Sequence, residues 1–202
     1  MRRAAVLGSP ISHTRSPDLH RAAYAELGLD WTYDAIECND RDFAAFFAGL
    51  DVQWRGLSLT MPLKEVVLDV VEDVDDRARQ VHSANTVWRT AGSSSWRATN
   101  TDIPGICSAL GDVGVDRLAR VRILGAGATA RSAVAAVAEM GAVSIVVHAR
   151  RREAADEVVR LARDLGCSSR GADLDVQWGE DDLLISPLPA DAGAPSAEAR
   201  ES

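Results

Sequence analysis

The feature that most constrains this chain is a glycine turn set between a strand and a helix. Val121-Arg122-Ile123-Leu124 reads as a strand, Gly125-Ala126-Gly127-Ala128-Thr129-Ala130 follows, and a helical stretch continues to Met140. The first glycine permits a tight bend, the second lets a pyrophosphate approach backbone N–H groups, and the small third residue, Ala130, lets helix and strand pack closely. A further strand is expected at 144–148 and a further helix at 152–165. Strand, glycine turn, helix, strand is the opening of a nucleotide-binding βαβ unit of the Rossmann type. Alone the glycine motif is weak, but its place after an apolar strand and before a helix favours nucleotide binding over a plain turn.

The end of the second strand bears on which nucleotide. About twenty residues after the glycines, an NAD-binding unit places Asp or Glu on the ribose 2′-hydroxyl, whereas this chain has Ala149-Arg150-Arg151-Arg152. A carboxylate there repels a 2′-phosphate, and guanidinium groups bind it through charge-assisted hydrogen bonds. NADP is therefore favoured over NAD. The competing explanation is that three arginines opening an exposed helix are a solvated face.

The rest of the chain reads as α/β. Strands expected at 4–8, 31–37 and 57–60 alternate with helical stretches, the pattern of one sheet whose strands are joined by covering helices. The first helix begins at Ser16-Pro17-Asp18, read as N-cap, first-turn proline and first-turn acid, with Leu19, Ala22, Ala23 and Leu27 as its apolar face and Gly28 as its stop. Phe43, Phe46, Phe47 and Leu50 line one face of a second helix. Residues 84–90 and 95–99, joined by Ala91-Gly92-Ser93-Ser94, suggest a β-hairpin. We expect a substrate-binding catalytic domain at 1–101, a partial NADP-binding domain at 102–186 with strands at 121–124, 144–148 and 183–186, and a disordered tail at 187–202, where Ala, Pro, Asp, Glu and Ser run without period. The active site is expected in the cleft between the domains.

Composition narrows the partners. A length of 202 residues suits one large or two small domains, and 47% hydrophobic with 26% charged residues is a globular balance. The net charge of -8 makes nucleic acid a poor partner. Cys38, Cys107 and Cys167 lie 69 and 60 residues apart, which fits neither a disulfide framework nor a zinc knuckle, so reduced thiols in a cytoplasmic protein and no metal are expected. No signal peptide or membrane span is legible.

Three polar clusters follow the expected strands, where ligands bind in open α/β sheets. In the first, 8–17, the hydroxyls of Thr14 and Ser16 lie at a helix N-terminus and could bind a carboxylate, although Ser16 could equally be only a cap. The second is Ser58-Leu59-Thr60-Met61-Pro62-Leu63-Lys64, and the third joins Asn85-Thr86 to Asn100-Thr101-Asp102. A lysine near an orienting carboxylate can exchange protons with a substrate hydroxyl, which makes Lys64 and Asp102 candidates. Judged by spacing alone, a lysine and an aspartate 38 residues apart more often lie on solvated surfaces.

Taken in order, these motifs resemble the shikimate dehydrogenases: Gly-Ser-Pro-Ile-Ser-His-Thr-Arg-Ser-Pro at 8–17, Ser-Leu-Thr-Met-Pro-Leu-Lys at 58–64, Ala-Asn-Thr at 84–86, Asn-Thr-Asp-Ile-Pro-Gly at 100–105 and the glycine turn at 125–130. Five motifs in one order are far more specific than any one. The resemblance covers residues 4–186 and implies NADPH-dependent, reversible reduction of 3-dehydroshikimate to shikimate in aromatic amino-acid (chorismate) biosynthesis. By that likeness Thr14 and Ser16 hold the substrate carboxylate, Thr60, Asn85 and Asp102 its ring hydroxyls, and Lys64 is the acid/base. Gly125, Ala126, Gly127, Ala128, Thr129, Ala130, Arg150 and Arg151 hold the cofactor, with Asp76 a carboxylate near it. A quinate/shikimate dehydrogenase using NAD is the neighbouring alternative, and a homodimer is left open.

The chain departs from the family at several points. Thr14 replaces a serine, and Ser58 and Ala149 stand where asparagine is common; none of these removes a catalytic group. The larger departure follows 183–189. The family continues through further strands, a Tyr-Pro segment, a substrate-binding glutamine and helices that return to the first domain, none of which is found here. The expectation is a truncated cofactor domain with an uncovered apolar edge, marginal stability or aggregation, and a frameshifted or prematurely ended reading frame. A catalytically silent remnant that binds shikimate or nucleotide is the alternative from a different class.

Overall fold

The computed structural model describes residues 1–90, 92–116, 118–174 and 183–188. The tail expected at 187–202 lies outside the described residues from 189 onward. The chain divides into two compact units, Met1–Thr101 and Asp102–Ser202.

The first unit is built on a six-stranded sheet. Its strands are β1 (Arg2–Gly8), β2 (Trp31–Glu37), β3 (Trp54–Leu59), β4 (Asp73–Val74), β5 (Thr86–Arg89) and β6 (Trp96–Thr99), in the order β2-β1-β3-β5-β6-β4. β1 runs parallel to both β2 and β3, β5 runs antiparallel to β3 and β6, and β4 is parallel to β6. The central position of β1 explains why its sequence is apolar without alternation. Ala5 and Leu7 enter one core with Phe43, Leu57 and Leu63, while Ala4 and Val6 enter another with Ile11 and Tyr33. The β5–β6 hairpin pairs Thr86 with Thr99 and Arg89 with Trp96.

The helices of this unit follow local signals unevenly. In α2 (Asp40–Ala48) the Asn39 carboxamide oxygen accepts the N–H groups of Arg41 (2.9 Å) and Asp42 (3.1 Å), and Phe43 is fully buried with Phe46 and Phe47 packed beside it. In α1 (Ser16–Glu26) the expected apolar face is wrong. Leu19 and Leu27 are 71% and 69% exposed, and the side that meets the sheet carries Pro17, His20 and Tyr24. The His20 ring stacks on Tyr33 at 3.9 Å, so aromatic contact with the strand sets the helix rotation rather than leucine spacing. Ser16 is the first helical residue and Arg15, whose side chain pairs with Asp18 at 2.9 Å, holds the cap position.

The second unit is a parallel four-stranded sheet of Rossmann character, in the order β10-β7-β8-β9. Its strands are β7 (Arg120–Leu124), β8 (Ser144–His148), β9 (Ser168–Ala172) and β10 (Leu183–Ile185). The helix α5 (Asp102–Asp112) opens the unit, α6 (Ala128–Glu139) links β7 to β8, and α7 (Arg152–Asp164) links β8 to β9. The short β4 and the edge strand β9, Ser-Ser-Arg-Gly-Ala, have almost no apolar run and leave no sequence signal. Their place comes from main-chain pairing to a neighbour already formed. Among the described residues, no helix is long and apolar enough to cross a membrane.

Tyr33 is 2% exposed and donates to the Ser58 hydroxyl at 2.7 Å. Burial pushes its phenol above the ordinary value of 10.0, with the Ser58 bond acting in the opposite direction. The folded value lies above the unfolded one, so this contribution to stability is complete below about pH 10 and is lost as pH rises through the folded value. Thermal unfolding should therefore show a melting temperature that falls steeply above pH 10, and Tyr33→Phe should flatten that fall.

Candidate functional site

Strand direction decides where the polar motifs of the first unit emerge. Because β1 and β3 are parallel, the segments after Gly8 and after Leu59 leave the sheet at the same edge. The antiparallel β5 starts at that edge and β6 ends there, which delivers Asn85 and residues 100–101 to it. Parts of all three polar clusters are thereby brought to one rim.

Backbone bonds then fix them to one another. The Thr60 N–H donates to the Leu7 carbonyl (2.9 Å) and the Ser9 N–H to the Met61 carbonyl (2.9 Å). Gly8 lies at this crossing, and a Cβ there would overlap Thr60 Cγ2 and stand 2.8 Å from the Met61 carbonyl oxygen. The position requires glycine because two backbones approach closely, with no need for unusual dihedrals. Lys64 is the second residue of the short helix α3 (Leu63–Val66), half-buried and anchored by the fully buried Leu63. Its carbonyl accepts the Ala84 N–H (2.7 Å), the Asn85 carbonyl accepts the Leu59 N–H (2.7 Å), and the Asn85 N–H donates to Thr99 (3.1 Å). Thr60, Lys64 and Asn85 thus sit on backbone segments that are directly bonded.

The Asn85 side chain has a defined role in hydrogen bonding. Its amide oxygen accepts the Thr101 N–H (2.9 Å), the Thr101 hydroxyl (3.0 Å) and the Thr86 hydroxyl (3.0 Å). A backbone N–H can only donate, so the accepting atom is oxygen, and any bond this side chain makes toward a ligand comes from its amide nitrogen as donor. At the other motif, Thr14 Oγ1 accepts the Ser16 N–H at 3.3 Å and lies 3.3 Å from Ser16 Oγ, which gathers both hydroxyls at the start of α1. Asp76 is exposed and opens α4 (Asp76–Gln80), whose cap is Asp75, bonded to the Ala78 N–H (2.7 Å) and to the Thr99 hydroxyl. Asp76 and Lys64 belong to the first unit; Asp102, half-buried, is the first residue of α5 in the second.

In the second unit all four strands are parallel, so the glycine turn, the arginine run, residues 173–174 and Leu188 follow strand ends on one edge. Gly125 has φ +122°, which side chains rarely adopt, and a Cβ there would lie 3.3 Å from Leu188. Around Gly127, by contrast, nothing stands within 4 Å of where a Cβ would be. Gly127 caps α6 without a side-chain bond, and the first turn has no acidic residue. A cavity of about 380 Å³ is lined by Gly125, Gly127, Ala149, Arg150, Arg151 and Leu174. A helix start with a glycine cap and no capping side chain, opening on a cavity with exposed guanidinium groups at its rim, fits a phosphate-bearing nucleotide in charge and in space. Ala126, Ala128, Thr129 and Ala130 complete the turn, with Ala130 buried against the unit's core.

Two residues escaped the reading of the sequence. Thr101, inside a quoted motif, orients Asn85. His148, the last residue of β8, is only 2% exposed and bonds both Arg122 and the Asp173 carbonyl, a contact no spacing could disclose.

Comparison with known proteins places this geometry. Residues 6–87 match the model of the shikimate dehydrogenase substrate binding domain. The chain is 38% identical over 170 residues to the shikimate dehydrogenase (NADP(+)) of Anaeromyxobacter sp. (strain K), a match covering 84% of this chain and 59% of that protein. It thus spans about three fifths of the length of the curated relative. Among solved structures, the shikimate dehydrogenase of Mycobacterium tuberculosis is 40% identical with a TM-score of 0.83, covering 94% of this chain and 71% of that one. The shikimate 5-dehydrogenase of Thermus thermophilus, solved in complex with NADP(H) and shikimate, is 31% identical with a TM-score of 0.80, covering 93% of this chain and 69% of that one. Similarity at this level along nearly the whole sequence, joined to five motifs in one order, means that the chain belongs to the shikimate dehydrogenase family.

Proposed function

We propose that this protein catalyses the reversible, NADPH-dependent reduction of 3-dehydroshikimate to shikimate. The observation that carries the reading is the joined rim of Thr60, Lys64 and Asn85, where hydrogen-bonding groups of the right kinds are held by the backbone bonds at Ala84, Leu59 and Thr99. In this reading Thr14 and Ser16 bind the substrate carboxylate. Thr60, Asn85 and Asp102 bind the ring hydroxyls, Asn85 as a donor through its nitrogen. Lys64 gives a proton to the carbonyl oxygen in reduction and takes it back in oxidation, with Asp102 as its partner acid.

NADPH, when bound, supplies the hydride, and the protein supplies orientation and the proton. The residues to hold it are those of the 125–130 turn, with Arg150 and Arg151 on the 2′-phosphate and Asp76 nearby. Paired guanidinium bonds to that phosphate would set the preference over NADH. The cytoplasm is the compartment this reading assigns, with a small anionic ring compound as substrate and a homodimer as the assembly to look for by light scattering.

Two measurements test the assignment. Lys64→Ala should lower kcat by about 10²–10⁴-fold while leaving the KM for shikimate within a few-fold, because a proton-transfer group acts mainly in the transition state. An unchanged kcat rejects Lys64 as the acid/base, and calorimetric binding of shikimate without any turnover in the unsubstituted chain rejects the enzyme reading in favour of a binder. Arg150→Ala with Arg151→Ala should raise the KM for NADPH at least tenfold, as expected for lost charge-assisted bonds, and barely move that for NADH. Equal losses with both cofactors would remove the arginines from the phosphate.

A further inference from the structure

We infer that His148, as the neutral tautomer protonated on Nδ1, is the positioning residue that holds the walls of the nucleotide cavity in register. This rests on the cofactor reading above and assigns a device within that site. Three bonds meet at this residue. Its backbone carbonyl accepts the Gly125 N–H at 2.7 Å, which fixes the start of the glycine turn. Its Nδ1 lies 2.6 Å from the Asp173 carbonyl oxygen, and its Nε2 lies 3.2 Å from Nη1 of Arg122 on β7.

The tautomer follows from the partners. A carbonyl only accepts, so Nδ1 carries the proton; a guanidinium only donates, so Nε2 is the acceptor. The ring therefore has one arrangement that satisfies both neighbours, and it is only 2% exposed.

The consequence lies at the end of β9. This strand is short and largely exposed, and among the described residues its neighbour in the sheet is β8. Beyond it, Leu174 lines the cavity at the glycine turn, and Asp173 lines a second cavity of about 240 Å³ that also has Arg150 and Arg152 in its wall. The ring bond to Asp173, together with the Ala149 N–H bond to Ala172 (3.3 Å), pins the strand end that sets both walls. One residue thus ties the phosphate turn by its backbone to the opposite wall by its side chain.

The experiment uses the full chain. Long-range ¹H–¹⁵N spectra of the four histidines, with His148→Phe assigning the signal, should show a protonated Nδ1 and a bare Nε2 at His148, and Arg122→Met should release that bias. Fluorescence titration with NADPH should show about tenfold weaker binding for folded His148→Phe, with kcat at saturating NADPH retained. His148→Asn, which keeps a donor near the Nδ1 position, should recover most of the affinity. A role in stability alone would lower the melting temperature without moving the NADPH affinity, so Arg122→Met, which also loosens the ring, should weaken binding several-fold even if His148→Phe fails to fold. A bare Nδ1 in the spectra, or NADPH affinity within twofold of the parent in every folded variant, overturns the inference. Failure of the unsubstituted chain to bind NADPH overturns it together with the cofactor reading, whereas a parent that binds and variants that bind equally well overturn it alone.

Discussion

Parallel pairing is the constraint from which the candidate sites descend. When strands run the same way, every chain segment that leaves a strand end must start from the same edge of the sheet, and only polar, hydrogen-bonding backbone can live there. β1 paired with β3 places Gly8 beside Thr60, and β7 paired with β8 places Gly125 beside His148. The rims are polar because the strands behind them are not. β1, β7 and β8 bury most of their side chains, which excludes water from the sheet and leaves the loops as the place for chemistry.

Within the first unit, the antiparallel hairpin adds what parallel strands could not. Its reversed direction brings a strand start, Asn85, and a strand end, residues 99–101, to the rim already occupied by Thr60. The resulting contacts between Thr101, Thr86 and Asn85 fix an amide orientation that the chain alone would leave free to flip. Rigid side-chain placement costs conformational entropy, and here the backbone ladder has already removed most of that freedom before any ligand arrives. The second unit reaches the same end differently, with a glycine turn and a buried imidazole in place of the hairpin.

The helices show where local pattern stops being decisive. α2 carries a capping asparagine and a phenylalanine face that agree, and it forms as its residues suggest. α1 carries leucines at helical spacing, yet Leu19 and Leu27 are exposed and the aromatic side meets the sheet. Periodicity can state that a helix has an apolar stripe, but which stripe docks depends on the surface that receives it. Here that surface is Tyr33, whose ring offers His20 a stacking partner.

The sequence by itself determined the alternation of strand and helix, the hairpin, the glycine turn and the identity of the polar motifs, because each is written in neighbouring residues whose periodicity or backbone preference acts locally. It also held the motif order by which the family is known. Only the tertiary structure decided that the segments carrying Thr60, Lys64 and Asn85 are bonded backbone to backbone, that the Asn85 amide oxygen is turned to Thr101 and Thr86, that β4 and β9 exist at all, and that His148 bridges Arg122 to Asp173. These depend on contacts between residues far apart along the chain, and such contacts exist only after the sheet has chosen its strand order and register.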